Sequence, residues 1–138
     1  MTEAKVRAEF FKTLEDFDMS VGGELKPRLR EMIRLRVSHI NGCTHCIRLH
    51  SEQLAAEGAS PVLISALARP VSSMRADAVS EGDAAALRFA EILTDPPRGL
   101  EREARARAGE FFTGKQLGAI VETVAVTNAW NRVTRGTE

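Results

Sequence analysis

Apolar side chains recur at helical spacing along most of this chain, and nowhere do they alternate long enough to suggest a half-buried strand. After Pro27, for example, Leu29, Ile33, Val37 and Ile40 fall on one side of a helix. Breakers and caps divide the chain into seven helical segments. The first runs from about Thr2 to Met19 and ends at Gly22-Gly23. The second starts near Pro27, a residue suited to a first helical turn, and runs to Ile40 before Asn41-Gly42. The third begins at Cys43 or Thr44 and stops at Gly58. Ser60-Pro61 reads as a cap followed by a helix-starting proline, opening a short fourth helix to about Leu67. After a loop with Pro70 and Ser72-Ser73, Ser80 and Asp83 open the fifth, which stops before Pro96-Pro97. The sixth covers about Leu100 to Phe112.

Thr113 and Gln116 have capping-box spacing and open the last helix, Gly114 to about Val133. Leu117, Ile120, Val121, Val124, Val126 and Trp130 spread around it, so it is expected to be buried in the core or in a subunit contact. Ala, Leu, Glu and Arg dominate throughout, and Tyr is absent. The pattern predicts an all-α protein, residues 1–138 forming one compact helical domain without internal repeats.

Composition narrows the functional classes. Lys+Arg and Asp+Glu are both 19, so the chain lacks the excess positive charge of a dedicated nucleic-acid binder. Neutrality also leaves self-association unopposed by net charge. The start, MTEAKVRAEFF, carries charges where a signal peptide needs an apolar core, and no apolar run is long enough for a membrane span. A cytoplasmic protein is expected. In such a reducing compartment two cysteines point to catalysis or metal binding before a structural bridge.

Those cysteines, Cys43 and Cys46, lie three apart at the start of the third helix. Random placement would give that spacing in about one chain in seventy. Unpaired N–H groups and the helix dipole favour a thiolate there, and residues three apart share a face, close enough for the sulfurs to bond. His50 follows Cys46 by one turn, and its imidazole can take a thiol proton and return it to a leaving oxygen. Cys43, Cys46, Ile47, His50 and Leu54 form one inward-facing stripe. Glu31, on the second helix about 200° round from Leu29 and in line with Leu35 and Ser38, could orient and charge-stabilise His50.

Plainer readings exist for each residue. The thiols could be buried and inert. Cys43, Cys46, His50 and Glu31 could ligate zinc, although structural zinc sites draw cysteines from loops and seldom use a carboxylate. His50 alone would pass as a core histidine, and Glu31 alone as a solvated residue. Arg28, Arg30, Arg34 and Arg36 are expected to form a solvated face, with a subunit or partner contact as the alternative. His45 could help acidify the thiols, and His39 reads as incidental.

Glu31, eleven intervening residues, Cys43-x-x-Cys46, three more and His50 resemble the signature of the alkylhydroperoxidase D-like (AhpD-like) proteins of the carboxymuconolactone decarboxylase family. LRVSHINGCTHCIRLH, the Gly58 break and Asn128-Ala129-Trp130-Asn131 agree, so the likeness spans about residues 24–133. The middle, Ser65 to Glu81, matches less well and lacks the aromatic residues expected there. The resemblance implies an all-helical homo-oligomer, a trimer or hexamer, with the site near a subunit contact. It also implies peroxidase activity on a peroxide substrate, or disulfide-reductase activity, without metal, haem or other cofactor. By resemblance Glu31, Cys43, Cys46 and His50 are catalytic, Cys46 attacking and Cys43 resolving; the helix dipole by itself would favour Cys43. A thioredoxin-like or lipoyl-type donor would reduce the pair. The decarboxylase branch proper lacks the cysteine pair, which argues against lactone decarboxylation here. Two alternatives remain: a thiol–disulfide adaptor passing electrons to a partner peroxidase, and a zinc-stabilised helical domain.

Overall fold

The computed structural model describes residues 2–95 and 99–138. Among these are seven α-helices, one 3-10 turn and no strand: α1 (Ala8–Ser20), α2 (Pro27–Asn41), α3 (Thr44–Ala56), α4 (Pro61–Ala66), the turn Val71–Ser73, α5 (Glu81–Thr94), α6 (Glu101–Ala108) and α7 (Gly114–Thr137). The expected capping residues act as such. The Ser60, Ser80 and Thr113 side chains accept N–H bonds from Leu63, Asp83 and Gln116, and Gln116 returns the bond to Thr113. Pro27 and Pro61 occupy first-turn positions, where a missing N–H costs nothing. Pro96 and Pro97, expected to end the fifth helix, lie outside the described residues.

Three boundaries differ from the sequence expectation. The first helix starts at Ala8, not near Thr2, because the charged residues before it are exposed and Arg7 is extended with no capping side chain. The sixth stops at Ala108, where Gly109 leaves the helix and residues 109–112 turn towards the Thr113 cap. The last continues to Thr137, since nothing after Val133 breaks it. Within the single chain that helix is buried on one side only: Ile120, Val124 and Val126 face the core, while Val121, Glu122 and Ala125 are exposed and open to the subunit contact that was the other expectation.

Helix α2 is the hub, packing against α3, α5 and α7. Ile33, Leu35 and Val37 are fully buried and join Leu54, Leu67, Leu87 and Ile120 in one core. Each such side chain contributes about 1.5–3 kcal/mol on burial. The central position of α2 overturns the expected solvated arginine face. Arg28 is exposed, but Arg30 and Arg34 are half-buried and Arg36 is buried. Arg36 Nε donates to Glu91 Oε2 of α5 (2.7 Å) and its Nη1 donates to the Leu67 carbonyl (3.3 Å). A helix surrounded on three sides has little solvated surface left for cations, and the buried Arg36 is accordingly paired with Glu91.

The end of α2 is fastened to α7 by a buried polar cluster. Asn131, fully buried, donates from Nδ2 to Ser38 Oγ (3.1 Å) and accepts from Asn41 Nδ2 (2.9 Å), which also donates to Asn128 Oδ1 (2.8 Å). Gly42 then takes the left-handed conformation (φ +65°) and turns the chain sharply from α2 into α3.

Candidate active site

That turn fixes the two cysteines. Cys43 follows Gly42 as the cap residue of α3, and its N–H donates to the Ser38 carbonyl (3.1 Å). Cys46 lies in the first turn, its N–H directed at Cys43 Sγ (3.4 Å). The sulfurs are joined in a disulfide, with Cα atoms 5.2 Å apart. Both residues are buried, Cys43 fully and Cys46 to all but 5%. Cys46, Ile47, His50 and Leu54 follow one another down the inner face of α3.

Glu31 reaches this face from α2. His50 Nδ1 donates to Glu31 Oε2 at 2.9 Å, with Gln53 Oε1 3.1 Å from the same nitrogen. A proton on Nδ1 leaves Nε2 as the ring's basic nitrogen. Glu31 Oε1 accepts from Arg34 Nη1 at 2.7 Å, so both carboxylate oxygens are engaged. Burial pushes the Glu31 carboxyl up, but the hydrogen bond from His50 and the charges of Arg34 and His50 outweigh it and hold the group below the usual carboxylate range. Arg34 also reaches α1, its Nη2 donating to Asp18 Oδ1 at 3.3 Å.

A cavity of about 430 Å³ opens beside these groups. Cys46 and His50 line it; Cys43 and Glu31 do not. Its apolar wall comes from Phe11 of α1, Leu49 of α3, and Trp130 and Val133 of α7. The Phe11 and Trp130 rings meet edge to face, 5.0 Å between centroids. Glu15, Asp18 and His45 supply its ionisable rim. A larger cavity, about 630 Å³ between α2, α5 and Phe111-Phe112, is lined by no cysteine or histidine. His39 does not line the thiol cavity; burial and the neighbouring Arg36 push its imidazole below the ordinary value.

The four expected residues are thus gathered in one place, Cys46 and His50 on the cavity and Cys43 and Glu31 directly behind them. Sequence reasoning missed Arg34, although its i+3 spacing from Glu31 was the available signal. It also missed Phe11, which only the docking of α1 against α7 brings to the cavity. Among the described residues no three of His, Cys, Asp and Glu stand together as a metal-ligand set.

Buried sulfurs able to cycle between dithiol and disulfide, a histidine held in one tautomer, and an apolar cavity reaching only one sulfur together form a redox-capable site. Comparisons with known proteins agree. The model of the carboxymuconolactone decarboxylase family matches residues 8–93. The uncharacterized protein YdfG of Bacillus subtilis is 30% identical over 105 residues, covering 75% of this chain and 69% of that protein. A solved structure from Agrobacterium tumefaciens, a protein of unknown function described as a candidate antioxidant defence protein AhpD, superposes with a TM-score of 0.83. It is 26% identical and the match covers 95% of this chain and 89% of that one. The alkylhydroperoxidase AhpD core of an uncharacterized peroxidase-related protein from Ralstonia eutropha JMP134 has a TM-score of 0.82. At 22% identity, covering 96% of this chain and 71% of that one, it speaks for the fold alone.

Proposed function

The chain belongs to the carboxymuconolactone decarboxylase family as an AhpD-like member, and from that premise we propose that it is a thiol-dependent alkylhydroperoxidase. The observation that carries the reading is the inequality of the two sulfur residues: the two are bonded to each other, but Cys46 and not Cys43 lines the cavity of about 430 Å³, and Cys46 shares it with His50. In the reduced enzyme His50 Nε2 takes the Cys46 proton, and the α3 N-terminus favours the thiolate. The thiolate attacks the nearer peroxide oxygen. An S–O bond forms, the O–O bond breaks, and the alkoxide leaves with the proton held by His50. Cys43 then attacks the Cys46 sulfenic acid, forming the S–S bond and releasing water. One peroxide is reduced to an alcohol and water as two thiols become a disulfide.

Return to the dithiol requires exchange with a thioredoxin-like or lipoyl-type donor, attacking Cys46 through the same opening. Such a donor belongs to a reducing compartment, and we place the protein in the cytoplasm on that ground; among the described residues no helix is long and apolar enough to cross a membrane. In this reading residues 1–138 act as one domain that assembles into a trimer or hexamer. The test is to reduce the protein, add one equivalent of an organic hydroperoxide, and map the product by non-reducing peptide mass spectrometry. Loss of both thiols with a Cys43–Cys46 link inside one chain is expected, followed by turnover when a small dithiol is supplied. Interchain links or singly hyperoxidised thiols would count against the mechanism. Disulfide formation without turnover would favour the adaptor role.

A further inference from the structure

Among the described residues, Arg34 is the one permanent cation bonded to the carboxylate behind His50, and it serves two helices at once. Its Nη1 donates to Glu31 Oε1 (2.7 Å) and its Nη2 to Asp18 Oδ1 (3.3 Å). The Arg34 side chain is 11% exposed and that of Glu31 8%, whereas Asp18 is 34% exposed. The inner arm is therefore shielded from water, and its charge acts on Glu31 with little screening. The fork is rigid and planar, so engaging Asp18 with the outer arm limits how the inner arm can swing.

We propose that Arg34 is a positioning residue, which keeps Glu31 ionised and turned so that Oε2 is presented to His50. This inference rests on the proton-relay reading of Cys46, His50 and Glu31. Without Arg34, Oε1 would be a buried acceptor with no partner, and the carboxylate could rotate or take up a proton. A protonated Glu31 would no longer stabilise the charge that His50 acquires from the thiol. Among the described residues, the groups bonded to this pair are Asp18 of α1 and His50 of α3, whose Nδ1 Gln53 of the same helix also approaches. Glu15, Asp18 and His45 lie on the cavity that His50 lines, and the α7 residues lining it are not ionisable. Arg34 is thus the only permanent cation among these groups. Its hold on Glu31 matches the low position of that carboxyl.

The test compares wild type with Arg34→Gln and Arg34→Lys. Two quantities are read on each reduced protein: the Glu31 side-chain carboxyl followed by carbon NMR against pH, and the rate of thiol oxidation by cumene hydroperoxide. In Arg34→Gln the Glu31 carboxyl should titrate at higher pH, and oxidation near pH 5 should fall about threefold or more, with a smaller loss near pH 8. Arg34→Lys keeps the charge without the fork and should shift Glu31 less than Arg34→Gln does. An unmoved Glu31 titration overturns the inference whatever the rates do, and so does a lysine variant that shifts as far as the glutamine one. If Glu31 moves as expected while the acid-side rates of the variants match wild type, Arg34 does hold Glu31 and it is the relay reading that fails.

Discussion

Glu31 Oε2 and His50 Nδ1 lie 2.9 Å apart although 19 positions separate the two residues, one on the central helix and the other a turn beyond the cysteines. The contact makes one buried carboxylate sensitive to pH. Burial favours its neutral form, but the His50 hydrogen bond and the Arg34 charge favour the anion more, so its folded value lies below the ordinary one. A depressed carboxyl contributes stability that is fully present above its unfolded pKa and is lost as pH falls through the folded value. Wild type should therefore lose stability below about pH 4.5. Glu31→Gln should be less stable than wild type at pH 7 and should lose less on acidification. Urea midpoints at pH 7 and pH 3.5 check this; parallel losses in both proteins would show that Glu31 contributes nothing to the acid limb.

What the sequence made legible was local. Caps at Ser60, Ser80 and Thr113, the Gly42 break and the inward stripe from Cys46 to Leu54 are all written within one or two helical turns. Arg36 was misread because its partner, Glu91, is 55 residues away and no short-range pattern announces the pair. The cavity was illegible for a similar reason. It forms only where α1 docks on α7, and Phe11 and Trp130 carry no mutual signal along the chain. The start of α1 was placed too early because helix propensity says little about where an uncapped, exposed helix begins.

The Arg36–Glu91 pair should behave as a buried ion pair. Each side chain is 7% exposed, and Glu91 Oε2 also accepts the Val71 N–H at 2.9 Å. Glu91→Ala leaves a guanidinium without its counter-charge and should cost about 3–5 kcal/mol. Replacing both partners together, Arg36→Met with Glu91→Leu, should cost much less than the sum of the single changes. Denaturant unfolding of the two single variants and the double variant measures the coupling. Additive losses would mean that the pair is not energetically linked.

Assembly is expected from the surface of α1. None of its residues is buried, and Phe10, Phe11, Phe17 and Met19 are all exposed along it, with Leu49 of α3 exposed nearby on the cavity wall. Large exposed apolar groups grouped on one element mark contact surfaces more often than solvated ones. Sedimentation at micromolar concentration should give a trimer or hexamer, and Phe17→Glu should shift it towards the monomer. A single species of about 15.1 kDa for wild type would sink the assembly claim.

The proton path is tested by taking its members away singly and together. If His50 is the base for Cys46 and Glu31 holds His50 in one tautomer, the residues act as a unit and their losses are not additive. His50→Gln keeps a polar group of similar size but removes the acceptor, and should slow peroxide-dependent thiol oxidation about 10²–10⁴-fold at neutral pH. Glu31→Gln should cost less, because it removes the charge and the orientation but leaves the imidazole. The double variant should be little slower than His50→Gln, since a carboxylate with no imidazole to hold has nothing left to contribute. Raising the pH towards about 8.5, where an unassisted thiol ionises, should partly rescue His50→Gln, as hydroxide then removes the proton. Glu31→Gln should gain less, because its base is still present. The measurement is the rate of thiol loss across pH with a stoichiometric hydroperoxide for the two single variants and the double. If the single losses multiply, or if His50→Gln keeps full activity at neutral pH, the relay is wrong, and the 2.9 Å contact is a structural tie between α2 and α3.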